Sequence, residues 1–113
     1  MKKNNSYNFK RDRYSRSRGG YSRFLKLFCS RCKKFLLLYQ KDGPGILKRL
    51  YMDRIFAPAE LTDLQETDYK GNLICKHCKN IIGLSIVYEK EDRKAFHLKQ
   101  ESFIKKITKK ESV

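Results

Sequence analysis

The sequence predicts a mostly β fold: a small antiparallel-sheet domain over residues 24 to 113, stapled through its cysteines, behind a disordered basic tail at residues 1 to 23. Three observations predict it. The four cysteines of the 113-residue chain fall into two pairs of one spacing, Cys29-Ser-Arg-Cys32 and Cys75-Lys-His-Cys78. Apolar runs of five to eight residues, shorter than most helices, are separated by turn-forming residues. Composition also changes at residue 24, from almost no aliphatic side chains to a pattern that can bury a core.

The tail holds eight Lys or Arg against one acid, Asp12, and interleaves Tyr7, Phe9, Tyr14 and Tyr21 with Lys2, Lys3, Lys10, Arg11, Arg13, Arg16, Arg18 and Arg23. Basic side chains neutralise phosphates and release counterions, aromatic rings stack on unpaired bases, and Gly19-Gly20 keeps such a segment pliable. An RNA-binding arm is therefore expected; a solvated extension without a ligand is the competing reading. A targeting presequence fits less well, because the tail lacks the aliphatic residues of an amphipathic face.

Phe24-Leu25-Lys26-Leu27-Phe28 enters the first cysteine turn and Phe35-Leu36-Leu37-Leu38-Tyr39 leaves it, which predicts a β-hairpin with the turn at its tip. Two thiolates separated by two residues on a tight turn can reach one ion at about 2.3 Å while turn amides point at the sulfurs. With both pairs engaged, the set is a closed tetrahedral site for one structural Zn2+. Disulfides would use the same thiols, but no secretory signal precedes them, and a redox Cys-x-x-Cys would account for only two of the four. Four thiolates leave the ion with a net charge of minus two, which Arg31, Lys33, Lys34, Lys76 and Lys79 are placed to offset. His77 and His97 read as surface residues.

Asp42-Gly43-Pro44-Gly45 predicts a chain reversal. Residues 46 to 56 alternate imperfectly and read as a strand, with a helix through Leu47, Leu50, Tyr51 and Arg54 as the competitor. Residues 57 to 70 read as a connecting loop, whose Glu60, Asp63, Glu66 and Asp68 balance the basic surface. Asn72-Leu73-Ile74 enters the second cysteine turn, and Ile81–Tyr88 leaves it as the strongest strand pattern in the chain. Residues 89 to 94 form a charged turn, Ala95-Phe96-His97-Leu98 a short strand, and Phe103-Ile104-Lys105-Lys106-Ile107 a last strand or short helix. Lys105, Lys106, Lys109 and Lys110 either extend a phosphate-contacting surface or form a solvated end.

A formal charge of +15 implies a polyanionic partner, RNA first, with ribosomal RNA as one candidate, and DNA or an anionic membrane surface after it. Lys10, Arg11, Arg13, Tyr14, Arg16, Arg18, Tyr21 and Arg23 of the tail, with Lys41, Lys48, Arg49 and Arg54 of the domain, are the nucleic-acid contact candidates. No apolar run approaches the length of a membrane span, so a cytoplasmic protein is expected. No fifth cysteine, Ser-His-Asp set or phosphate-cradling loop is visible, and a four-thiolate ion has no position open for substrate, so a non-enzymatic role is expected.

Forty-two residues separate Cys32 from Cys75, against about 12 to 20 in common zinc fingers and ribbons, so a sheet must fit between the turns or the ribbon must be elongated. The run Leu73-Ile74-Cys75-Lys76-His77-Cys78, followed by Ile82-Gly83, a strand, Phe96 and Phe103-Ile104, resembles the ending of the Yippee-like proteins of the β-tent zinc-binding group. That resemblance implies a β-tent-like fold, in which Gly83 lets the chain cross close beneath the second turn. It also implies the competing function, a protein or small-ligand interaction module to which the basic tail is incidental.

Overall fold

The computed structural model describes residues 8 to 108, and the expected mostly β, antiparallel domain is what those residues form. In chain order they are a short helix α1 (Arg13–Ser17) and strands β1 (Ser22–Cys29), β2 (Phe35–Asp42), β3 (Arg49–Tyr51), β4 (Ile55–Ala57), β5 (Leu73–Ile74), β6 (Ile81–Tyr88), β7 (Arg93–Leu98) and β8 (Phe103–Thr108). Two four-stranded sheets result, one ordered β4-β2-β1-β8 and the other β3-β7-β6-β5.

The period-two pattern of β1 sends Leu25, Leu27 and Cys29 inward. They meet Leu37, Tyr39 and Ile55 of their own sheet and Leu50, Ile82, Phe96 and Leu98 of the other in a single core. Burial of this kind contributes about 25 cal/mol for each Å² of apolar surface removed from water. Gly83 does make a close approach, but to β7 rather than beneath the second cysteine turn: a Cβ there would lie 3.1 Å from both Phe96 Cβ and the His97 carbonyl oxygen.

Residues 46 to 56 are not one strand. β3 pairs with β7 in one sheet, β4 pairs with β2 in the other, and a 3-10 turn at Met52–Arg54 carries the chain across between them. The two charged residues of that turn make the crossing possible. The Arg54 guanidinium, 1% exposed, donates through Nη2 to Asp12 Oδ1 at 2.6 Å, through Nη1 to Asp12 Oδ2 at 3.1 Å and through Nε to Asp42 Oδ2 at 2.9 Å. Asp53 receives Arg93, itself nearly buried, through Nη2 at 2.6 Å and Nε at 3.1 Å.

The expectation of a disordered tail running to residue 23 needs correction, because residues 8 to 23 are laid onto the domain. Asp12 caps α1 by accepting from the amides of Tyr14 and Ser15, while Ser15 Oγ accepts from the Asp12 amide, a reciprocal capping box. Phe9 stacks on Phe24 with centroids 4.5 Å apart, and the Gln40 side-chain amide exchanges two hydrogen bonds with the Lys10 backbone. Basic composition concealed an anchor whose partners lie as far as 77 residues further on.

Burial alone would raise the Asp12 carboxyl, but Arg54 and the capping amides outweigh it and hold the group at about 2. A folded-state value below the unfolded one stabilises the fold above the unfolded pKa of about 3.9, and this contribution is lost as pH falls through the folded value. The wild type is therefore expected to lose stability between about pH 4 and pH 2, with Asp12→Asn flattening that limb. Urea unfolding at stepped pH checks this; equal slopes for both proteins would disprove it.

Candidate metal centre and basic surface

Each sheet contributes one cysteine turn, the first joining β1 to β2 and the second joining β5 to β6. The two turns have the same construction. Cys29 N donates to Lys34 O and Cys75 N to Asn80 O, both at 2.9 Å; Lys33 N donates to Cys29 O and Lys79 N to Cys75 O, both at 2.8 Å. The residue after each second cysteine, Lys33 or Lys79, has φ of 68°, the left-handed conformation that lets the chain turn back past the sulfurs.

All four Sγ atoms lie within 4.8 Å of one another, and the Cys29–Cys78 and Cys32–Cys75 separations are 3.6 Å. A disulfide needs about 2.05 Å. A tetrahedron with metal–sulfur bonds of about 2.3 Å has edges of about 3.8 Å, so the cluster fits a metal ion and not a pair of disulfides. Cys29 and Cys75 are fully buried and belong to the core, whereas Cys32 and Cys78 are half-buried.

The turns tune the thiols. Burial acts to raise Cys29, but the Cys32 and Arg31 amides, with Cys78 and Asn80, bring it down to about 6. Cys75 is lowered in the same way, the Cys78 and His77 amides outweighing burial. Against the pull of the Lys34 amide, burial and the neighbouring sulfurs push Cys32 up to about 11. Thiolates crowded this closely repel one another until a cation is placed among them. Arg31, Lys33, Lys34, Lys76 and Lys79 surround the cluster on exposed positions.

The nucleic-acid candidates separate into three groups. Arg54 is withdrawn, since its guanidinium is buried and fully committed to Asp12 and Asp42. Several tail residues are structural partners. Arg18 forks onto Glu91 at 2.9 and 3.0 Å, and Tyr14 covers one face of the Arg93 guanidinium at 3.9 Å while Tyr51 covers the other at 3.9 Å. Lys10 Nζ donates to Asp53 O, and Arg23 Nη1 to Gly43 O. Arg11, Arg13, Arg16 and Tyr21 remain at the surface, Arg13 hydrogen-bonded to Tyr14. Lys41, Lys48 and Arg49 meet Arg18 around a cavity of about 280 Å³ beside the Gly43–Pro44 turn. Lys2, Lys3, Tyr7, Lys109 and Lys110 lie outside the described residues.

A second surface was not foreseen. Antiparallel register places Lys26 opposite Lys106 and Phe28 opposite Ile104 on the outward face of β1 and β8. Phe35 meets Phe28 edge to face at 5.9 Å, and Lys106 Nζ lies 5.6 Å from the Phe28 ring centre. The opposite end of that face is closed by Phe9 on Phe24, with Phe56 at 5.1 Å. The signal was present in the alternation Phe24-x-Lys26-x-Phe28, which reads as one face once β1 is recognised as a strand. No helix among the described residues is long and apolar enough to cross a membrane. No family model, curated protein or solved structure matches this chain.

Proposed function

We propose that the chain is a zinc-stapled, non-enzymatic RNA-binding protein of the cytoplasm that grips single-stranded RNA on the outer face of β1 and β8. The observation that carries this reading is the row of Phe28 and Phe35 flanked by Lys26 and Lys106. Rings take unpaired bases, and ammonium groups alongside take the phosphates that link them. A strand repeat of about 6.8 Å between same-face residues suits an extended nucleic-acid chain. The charge of +15 supplies long-range attraction, and exposed Arg11 and Arg16 extend the basic surface. Ribosomal RNA is a candidate target, and DNA would share the phosphate contacts.

Zinc is the reading for the ion because four cysteines at this separation suit its size and its tetrahedral preference. Bound there, it would fix the two sheets to each other and leave no position for substrate. Affiliation with the Yippee-like β-tent proteins remains part of the proposal and rests on the motif from Leu73 to Ile104. A protein partner is the second reading. It is favoured by Leu84 and Val87 on β6 and Ile74 on β5, which are 46%, 56% and 46% exposed.

Fluorescence anisotropy with labelled single-stranded RNA tests the first reading. Affinity should fall with salt at a log-log slope of about −0.7 for each phosphate neutralised. Phe28→Ala should weaken binding by about 1–3 kcal/mol, the worth of one stacked base, with zinc content unchanged. Binding that ignores both salt and the ring would refute the reading. Capture of one protein from its own cells, insensitive to RNase, would transfer support to the second.

A further inference from the structure

The cavity beside the Gly43–Pro44 turn is built differently from the open face of β1 and β8. Arg18, Lys41, Lys48 and Arg49 line it, against a single carboxylate, Asp42. Asp42 is already committed: Oδ2 holds Arg54 at 2.9 Å, and Oδ1 accepts from Ser22 Oγ at 2.6 Å and Gln40 Nε2 at 2.8 Å. Lys41 is 6% exposed, and its ammonium donates to the carbonyl oxygens of Gly43 and Pro44, at 2.9 and 3.2 Å. Among the described residues no carboxylate forms a salt bridge with it. Two carbonyls occupy two of three ammonium protons, so one donor and a whole positive charge are left over.

Tyr51 supplies a second unused donor. Its hydroxyl oxygen accepts from Arg18 Nη2 and from Arg49 Nε, each at 3.1 Å, so its own hydrogen is left to donate. Both guanidinium groups are held in place from behind, Arg49 over the Tyr88 ring at 4.1 Å and Arg18 by its fork on Glu91. Lys48 is exposed and has no side-chain partner among the described residues. Gly43, with φ of 77°, presses the turn against Arg18 so closely that a Cβ would lie 2.8 Å from both Arg18 Cβ and Arg18 O. Burial, and after it the neighbouring Arg23, already holds the Lys41 pKa below its ordinary value, which is the mark of a cation without its counterion.

The geometry points to a receptor for a phosphate monoester, with Lys41, Lys48, Arg49 and the Tyr51 hydroxyl as donors to its oxygens. Tyr39, Leu47 and Pro44 provide apolar wall for the group the phosphate is attached to. At about 280 Å³ the space falls just below the usual range of small-molecule pockets, about 300–1,000 Å³, which suits a phosphate with a sugar rather than a longer chain. Such a group comes either from a free mononucleotide or from the phosphorylated end of an RNA strand. The second source rests on the RNA-binding reading; the first does not.

The test is isothermal titration of the full chain with inorganic phosphate, with adenosine monophosphate, and with one single-stranded RNA carrying a terminal phosphate or a terminal hydroxyl. Saturable binding of phosphate and of the mononucleotide at one site per chain is expected. Lys41→Met should weaken it at least tenfold without lowering the melting temperature, because the substitution removes an unpaired buried charge and keeps the stem. Lys48→Gln, at an exposed position, should weaken it severalfold and serves if Lys41→Met does not fold. A tenfold preference for the phosphorylated strand assigns the site to strand ends; mononucleotide binding without that preference assigns it to free nucleotides. Phosphate binding that is unsaturable or indifferent to both substitutions overturns the receptor even if hydroxyl-ended RNA still binds through Phe28. Phosphate binding without any RNA binding sustains the receptor and removes the RNA reading.

Discussion

Cys75→Ser is expected to release the metal and unfold the domain. Cys75 is fully buried, belongs to the hydrophobic core, and stands with its turn at the point where one sheet is joined to the other. Structural zinc contributes about 10–16 kcal/mol of apparent free energy in small metal-stapled domains, whereas a whole domain is stable by only about 5–15 kcal/mol. Losing one thiolate of four leaves too little to hold a chain of this size together. Metal content should fall from one ion per chain to none, and thermal denaturation should lose its cooperative transition near ambient temperature. A strong chelator should reproduce both changes in the wild type. A serine variant with unchanged metal content and melting temperature would show that the cluster is not the staple.

Arg54→Met is expected to destabilise the fold by about 3–5 kcal/mol, the cost of breaking a buried ion pair from one side. The penalty lies mostly with the groups left behind. The Asp42 side chain is 4% exposed and would lose the cation beside it, and α1 would lose the guanidinium that anchors its capping residue. Replacing all three, Arg54→Met with Asp12→Asn and Asp42→Asn, should therefore recover much of the loss. Urea unfolding of the single and triple variants measures this directly. A single variant within about 1 kcal/mol of wild type would mean that the buried pair is not a stabilising device.

Local signals made a good part of this fold legible. The hairpin around Cys29 and Cys32 follows from alternation, the strand Ile81–Tyr88 from β-branched content, and the four-cysteine cluster from spacing. What escaped depends on distant partners. Arg54 looks like an interruption in a strand, and Asp53 like a residue of its polar side, until Asp12, Asp42 and Arg93 are brought to them by the fold. Asp12, the lone acid of the tail, carried the clue that the segment was anchored, and Ser15 three residues later completed a helix-start signature. Among the binding candidates, side-chain type identified the cations that line the cavity but could not separate Lys48, which is exposed, from Arg54, which is locked away.

The pairing of β1 with β8 sets an order on how the molecule can come into being. Leu25 lies opposite Ile107, so β1 waits for a strand made more than eighty residues later. Until residues 103 to 108 have left the ribosome, one edge of β1 has no neighbour and its apolar face is open to other nascent chains. The hairpin of β1 and β2 brings together two of the four thiols, and a metal could be held by all four only once Cys75 and Cys78 had emerged. With an ion in the cluster, translation speed and metal supply would act on the same interval, and a shortage of metal would be read first as lost yield of folded protein rather than as weakened binding.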